Sequence, residues 1–130
     1  MNLLIVDDEA SLRDFLSIVF EDEGWRVETA GSVAEARAAV AKNEPDLILC
    51  DLMLPDGSGI DLLREVKTAT PSVAVVMITA HTSTKSAVEA LKAGAFDYIA
   101  RPVEIDESQS KGRNAVERQE REGENFTRGN

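Results

Sequence analysis

Apolar runs and helix-period segments alternate along this chain five times. Leu3-Leu4-Ile5-Val6 is continuously apolar, the pattern of a strand covered on both faces. Leu12, Phe15, Leu16, Val19 and Phe20 then recur at helical spacing until Gly24. Arg26-Val27-Glu28-Thr29 alternates polar and apolar and reads as an edge strand, and Ser32-x-x-Glu35 is a capping box for a second helix whose stripe is Val33, Ala36 and Val40. Asp46 to Cys50 gives a third strand. The Pro55-Asp56-Gly57-Ser58-Gly59 stretch gives a loop, and Ile60, Leu63 and Val66 mark one side of the helix after it. Val73 to Ile78 is a fourth strand. Ala87, Ala90 and Leu91 mark a fourth helix closed by Gly94, and Phe96 to Ala100 is a fifth strand. Strand–helix alternation with right-handed crossovers predicts an α/β fold, a doubly wound five-stranded parallel sheet. The more polar second and fifth strands belong at its edges, which favours the order 2-1-3-4-5.

The last segment is less regular. Residues 104–118 have helical potential, but Ser108, Gln109 and Gly112 fall where a core stripe is expected, and Gly112 costs about 1 kcal/mol against alanine in a helix interior. From Glu117 onward the chain is charged and lacks a stripe. The expected organisation is therefore one domain over residues 1–116 with a weakly specified last helix, and a charged linker or frayed tail over 117–130.

In such sheets, ligands bind outside the carboxyl ends of the strands. Those ends carry polar groups here: Asp7-Asp8 after the first strand, Asp51 after the third, Thr79 after the fourth, and Arg101-Pro102 after the fifth. Two carboxylates about 5 Å apart repel by roughly 3 kcal/mol at an effective dielectric near 20. A fold has no need of that cost, so the cluster points to chemistry. Taken singly, each residue has an ordinary reading: an acidic turn before a helix for Asp7-Asp8-Glu9, a strand-end carboxylate for Asp51, a helix cap for Thr79, a surface cation for Arg101, and a loop residue for His81. Joint placement at four strand exits favours function. Three carboxylates are hard oxygen ligands for magnesium, which keeps several waters and accepts phosphate oxygens. An aspartate beside such an ion can attack phosphorus, while a hydroxyl and a cation hold the phosphoryl oxygens.

Composition narrows the field. In 130 residues the formal net charge is −10, which argues against direct nucleic-acid binding by a basic face. Cys50 is the single cysteine, so no intrachain disulfide forms, and its place inside an apolar run reads as a buried inert thiol. No apolar stretch approaches the ~18 residues of a membrane span. With no basic leader before the first strand, the expected location is cytoplasmic. Gly57-Ser58-Gly59 lacks the third glycine of a dinucleotide fingerprint, Leu62 standing in its place, and no phosphate-binding Walker loop is present.

These motifs together resemble the response-regulator receiver domains of two-component signalling, over residues 2 to about 107. Asp7-Asp8 is similar to that family's acidic pair, and Asp51 in Asp51-Leu52-Met53-Leu54-Pro55-Asp56-Gly57-Ser58-Gly59 to its phosphoacceptor loop. Thr79-Ala80 matches its switch hydroxyl and small neighbour, Tyr98 its switch aromatic, and Arg101-Pro102 its lysine and cis-proline. Ala95-Phe96-Asp97-Tyr98-Ile99 and Pro102-Val103-Glu104 look most like the N-terminal receivers of enhancer-binding (NtrC-like) transcription activators.

The resemblance implies a flavodoxin-like receiver fold and a phosphorylation-controlled switch, not an enzyme in the usual sense. Asp51 would accept a phosphoryl group from a sensor histidine kinase. Asp7, Asp8, Asp51 and the carbonyl of Met53 would hold Mg2+. Thr79 and Tyr98 would carry the conformational switch, Arg101 would pair with the phosphoryl group, and Met53 and His81 would tune its lifetime. The partner surface would be the face of the fourth helix, fifth strand and fifth helix, docking an output domain or downstream protein or forming a homodimer. Two positions depart from the family pattern: Arg101 replaces lysine, with a bulkier planar fork, and the fifth helix is polar. The alternatives from other classes are a receiver-fold binding module that signals without phosphate, and a phosphohydrolase, against which Met53 stands where a second acid is wanted.

Overall fold

Each of the five expected strands forms in the computed structural model, which describes residues 1–80 and 84–128. The order along the chain is β1 (Asn2–Val6), α1 (Ala10–Glu21), β2 (Arg26–Ala30), α2 (Val33–Lys42), β3 (Leu47–Asp51), β4 (Met53–Leu54), β5 (Gly57–Ser58), α3 (Gly59–Ala69), β6 (Ala74–Thr79), α4 (Thr84–Lys92), β7 (Asp97–Ala100) and α5 (Ile105–Arg128). The main sheet is wholly parallel, in the order β2-β1-β3-β6-β7. Counting only its own five strands, that is the expected 2-1-3-4-5. The central strands β3 and β6 are buried along their whole length, whereas β2 and β7 lie at the edges with exposed or half-buried positions. Fully apolar strands need cover on both faces, and the alternating ones do not. The loop after β3 contains an addition to the expected pattern, a short antiparallel hairpin of β4 and β5.

Two cores flank the sheet. One, under α1 and α5, is built from Leu3, Ile5, Leu16, Phe20, Leu49, Val76 and Ile99. The other, under α2, α3 and α4, is built from Leu4, Val6, Ala36, Ile48, Leu63, Val66, Val75 and Met77. Alternate residues of each central strand feed opposite cores, as the pleat requires. Gly24 and Gly94 close α1 and α4 with φ of +93° and +111°, a backbone region that favours glycine. Within the helix stripes, Phe15 and Leu91 sit at the margin and remain exposed.

The last helix corrects the sequence expectation. α5 runs from Ile105 to Arg128, and its buried stripe is Ser108, Gly112, Ala115 and Val116. The positions that looked unfit for a core are the core positions. A Cβ on Gly112 would stand 3.1 Å from both Leu47 Cδ2 and Phe20 Cε1, so the small residue permits close approach of α5 to the sheet and α1. Ser108 satisfies its buried hydroxyl by donating to the Ile105 carbonyl at 2.9 Å, and Gln109 Nε2 donates to the Val19 carbonyl at 3.3 Å. Among the described residues no helix is long and apolar enough to cross a membrane.

Candidate functional site

Parallel register brings the strand exits together. Val6 lies opposite Cys50, Asp51 opposite Ile78, and Thr79 opposite Ala100. Asp7 and Asp51 therefore share a level, with Thr79 one position and Arg101 two positions beyond it at the carboxyl edge. The backbone continues the ladder there: Asp7 N–H donates to the Ala30 carbonyl at 3.0 Å, and Arg101 N–H to the Thr79 carbonyl at 2.9 Å. One carboxylate oxygen from each of Asp7, Asp8 and Asp51 lies within 4.8 Å of the others. Above them opens a cavity of about 530 Å3, walled by Asp8, Asp51, Met53, Thr79, Ser86 and Arg101 among others.

Asp7 is fully buried and does not line that cavity. Burial pushes its carboxyl above the ordinary range, the Glu9 amide and the Arg101 guanidinium pull it back, and the charges of Asp51 and Asp8 push it up again. Arg101 neutralises the cluster from the edge strand. Its Nη2 bonds Asp7 Oδ2 and also Asp51 Oδ2 at 2.8 Å, while Nη1 reaches Glu9 Oε2 at 2.9 Å. The Arg101 side chain is 22 % exposed, and its Nε is buried with no hydrogen-bond partner among the described residues. The Arg101–Pro102 peptide is cis. Beside the cluster, burial followed by the charges of Asp51 and Asp7 drives the Cys50 thiol far above its ordinary value, so it has no thiolate chemistry to offer.

The hairpin after β3 is held from two sides. Gly59 N–H donates to the Leu52 carbonyl at 2.8 Å, folding the loop back onto the Asp51 backbone. Asp56 reaches across to α2, where its carboxylate accepts the amides of Val33 (2.7 Å) and Ala34 (3.0 Å) at the helix start. Those bonds hold its carboxyl below the ordinary range. Ser32 supplies the expected side-chain cap to Glu35 N–H at 3.2 Å, and the Glu35 carboxylate accepts the Gly31 amide at 3.3 Å and the Ser32 hydroxyl at 3.3 Å rather than the Ser32 amide.

The structure thus brings Asp7, Asp8, Asp51, Met53, Thr79 and Arg101 to one place. Tyr98 lies apart, half-buried against the core that includes Ala90 of α4, with Lys111 Nζ 5.5 Å from its ring centroid and bonded to its carbonyl at 2.7 Å. His81 lies outside the described residues. Sequence reasoning missed Glu9, Ser86 and Asp56. Glu9 was legible only as part of an acidic turn. Asp56 acts across more than twenty residues of chain, where no local pattern signals it, and Ser86 enters only as part of the cavity wall.

The response regulator receiver domain family matches this chain over residues 3–111. The chain belongs to that family. Among its relatives, the response regulator protein PilR of Pseudomonas aeruginosa is 44 % identical over 102 residues, covering 78 % of this chain and 23 % of PilR. The probable transcriptional regulatory protein TcrX of Mycobacterium tuberculosis is 36 % identical over 107 residues, covering 82 % of this chain and 46 % of TcrX. Among solved structures, NtrX from Brucella abortus superposes with a TM-score of 0.91 at 33 % identity, covering 97 % of this chain and 29 % of NtrX. The receiver therefore spans less than half the length of these relatives. Its sheet order is that of the family fold, and its likeness to PilR and NtrX bears out the sequence-level resemblance to enhancer-binding regulators.

Proposed function

We propose that this receiver is a phosphorylation-controlled switch with Asp51 as phosphoacceptor, loaded by a sensor histidine kinase in a Mg2+-dependent reaction. One observation carries the reading: three carboxylates within 4.8 Å of one another, under a cavity that also presents Thr79 and Arg101. The donor set fits magnesium, being all hard oxygen, with Asp7, Asp8, Asp51 and the Met53 carbonyl as holders. The ion would neutralise charge on the incoming phosphoryl oxygens. An Asp51 oxygen attacks phosphorus as the bond to the donor imidazole breaks, and Asp51 being part of the cavity wall supports that role. Thr79 donates its hydroxyl to one phosphoryl oxygen and Arg101 pairs with another. Met53, 79 % exposed at the rim, and His81 set how readily water reaches the acyl phosphate.

Movement of Thr79 and reorientation of Tyr98 then shift the population toward an active α4–β7–α5 surface. Exposed Val88, Leu91 and Ile105 on that face support docking of an output domain, a downstream protein or a second copy. Regulation of transcription in the cytoplasm is the reading for the whole protein, in line with the printed roles of the relatives. Intact mass after incubation with acetyl phosphate tests the proposal. The expected result is one phosphoryl adduct that needs Mg2+ and is absent in Asp51→Asn. A folded, Mg2+-binding protein with no adduct would favour a receiver that signals without phosphate.

A further inference from the structure

All four carboxylate oxygens of Asp7 and Asp51 are already engaged. Asp7 Oδ1 accepts the Glu9 amide at 2.8 Å and Asp51 Oδ1 the Met53 amide at 3.2 Å. The remaining pair, Asp7 Oδ2 and Asp51 Oδ2, accept from the same nitrogen, Nη2 of Arg101. The two amides are fixed in the backbone. The guanidinium alone sits on a flexible stem, and its other terminal nitrogen is tied to Glu9, a half-exposed side chain at the rim.

We infer that Arg101 is an internal competitor for the divalent-cation site, clamped in place by Glu9, so that an ion binds only as the guanidinium releases Asp7 and Asp51. The inference rests on the magnesium reading given under Proposed function. Magnesium bonds carboxylate oxygen at about 2.0–2.1 Å, so an ion held by Asp7 and Asp51 would need the space that Nη2 now fills. Two cations that close also repel in a partly buried site. Shape matters as well as charge. A lysine ammonium has no second nitrogen with which to hold Glu9 while bridging the aspartates, whereas the planar fork does both. The unpartnered Nε agrees with this geometry: the side chain is drawn in by its two terminal nitrogens at the expense of the third.

Glu9 gives the test its sign. Removing a carboxylate beside a cation site ordinarily weakens cation binding. Removing this one frees the competitor, so Glu9→Gln should tighten it. Calorimetric Mg2+ titration, with a thermal melt on every protein, compares wild type, Glu9→Gln, Arg101→Gln and the double variant. Arg101→Gln should bind roughly tenfold tighter, within the usual range for coupling between ligands. Glu9→Gln should bind a few-fold tighter alone, and no tighter once Arg101 is gone. Unchanged or weaker binding in Arg101→Gln, or weakening by Glu9→Gln in both backgrounds, overturns the inference and leaves the magnesium reading standing. Folded proteins that all fail to bind Mg2+ overturn the magnesium reading itself. Glu9→Gln alters a rim residue, so it decides the question even if Arg101→Gln folds poorly.

Discussion

Gly59 is the residue on which the acceptor strand and its loop converge, and Gly59→Ala is the sharpest perturbation available. A Cβ at this position would stand 1.9 Å from the Asp51 carbonyl oxygen, 2.9 Å from its carbon and 3.1 Å from Leu52 Cα. Ordinary contact begins at 3.4 Å, so the two backbones must separate by about 1.5 Å. When flexible side chains yield, overpacking costs about 1–3 kcal/mol. Here the wall is the last residue of a buried central strand, next to Leu52 N–H bonded to the Ile78 carbonyl at 3.1 Å, so the cost belongs at the upper end, ~3 kcal/mol. In a chain of this length that lowers Tm by roughly 10 °C. The same displacement moves Asp51, and a misplacement of about 1 Å costs on the order of 100-fold in a positioned reaction. Urea unfolding gives the first quantity, and the rate of adduct formation from acetyl phosphate, at a temperature where the variant is folded, gives the second. Gly57→Ala is the control, since its Cβ would meet only Val33 Cγ2 at 3.3 Å. A Gly59→Ala protein as stable and as fast as the control would refute the reasoning and mean that the hairpin relaxes freely.

Gly112→Ala sets two effects against each other: a helix-propensity gain of about 1 kcal/mol and contacts at 3.1 Å with Leu47 and Phe20, both fully buried. Denaturant unfolding should show a loss of about 0–2 kcal/mol, and a clear gain would show that α5 can retreat. Asp56→Asn should lower Tm at neutral pH by weakening the clasp on α2. Because the amides of Val33 and Ala34 hold the carboxyl below its ordinary 3.8, the Asp56 contribution is present above that value and fades as pH falls through the depressed one. The Tm gap between wild type and variant should close on acidification, and a pH-independent gap would assign the effect to shape alone. Cys50 should resist alkylation in the folded protein and react only on unfolding, as followed by mass after iodoacetamide with and without denaturant.

The strand order, both edge strands and the site's strand-exit residues were legible because each follows from local pattern plus one topological rule. Fully apolar runs must be central, and parallel strands send their exits to one edge. Asp7, Asp8, Asp51, Thr79 and Arg101 needed nothing further. What stayed hidden depends on distance across the fold. Gly112 and Ser108 looked like breaks in a stripe because a one-dimensional stripe does not show how near the next layer lies. Asp56 read as a turn residue, yet it caps a helix that begins 23 positions earlier. The Glu9–Arg101 pair spans 92 positions and closes only when β1 and β7 share the same edge.

Strand β7 is hydrogen-bonded to the sheet on one side only, through the rungs from Val76–Asp97 to Thr79–Ala100. Edge strands open at a smaller free-energy cost than the strands they border. Arg101 follows β7 directly, so each breath of this edge carries the counter-ion away from an acid cluster anchored in the rigid middle of the sheet. Amides of Tyr98 to Ala100 should therefore exchange with solvent ahead of those in β3. The exchange rate at that edge then clocks how often the aspartates stand bare.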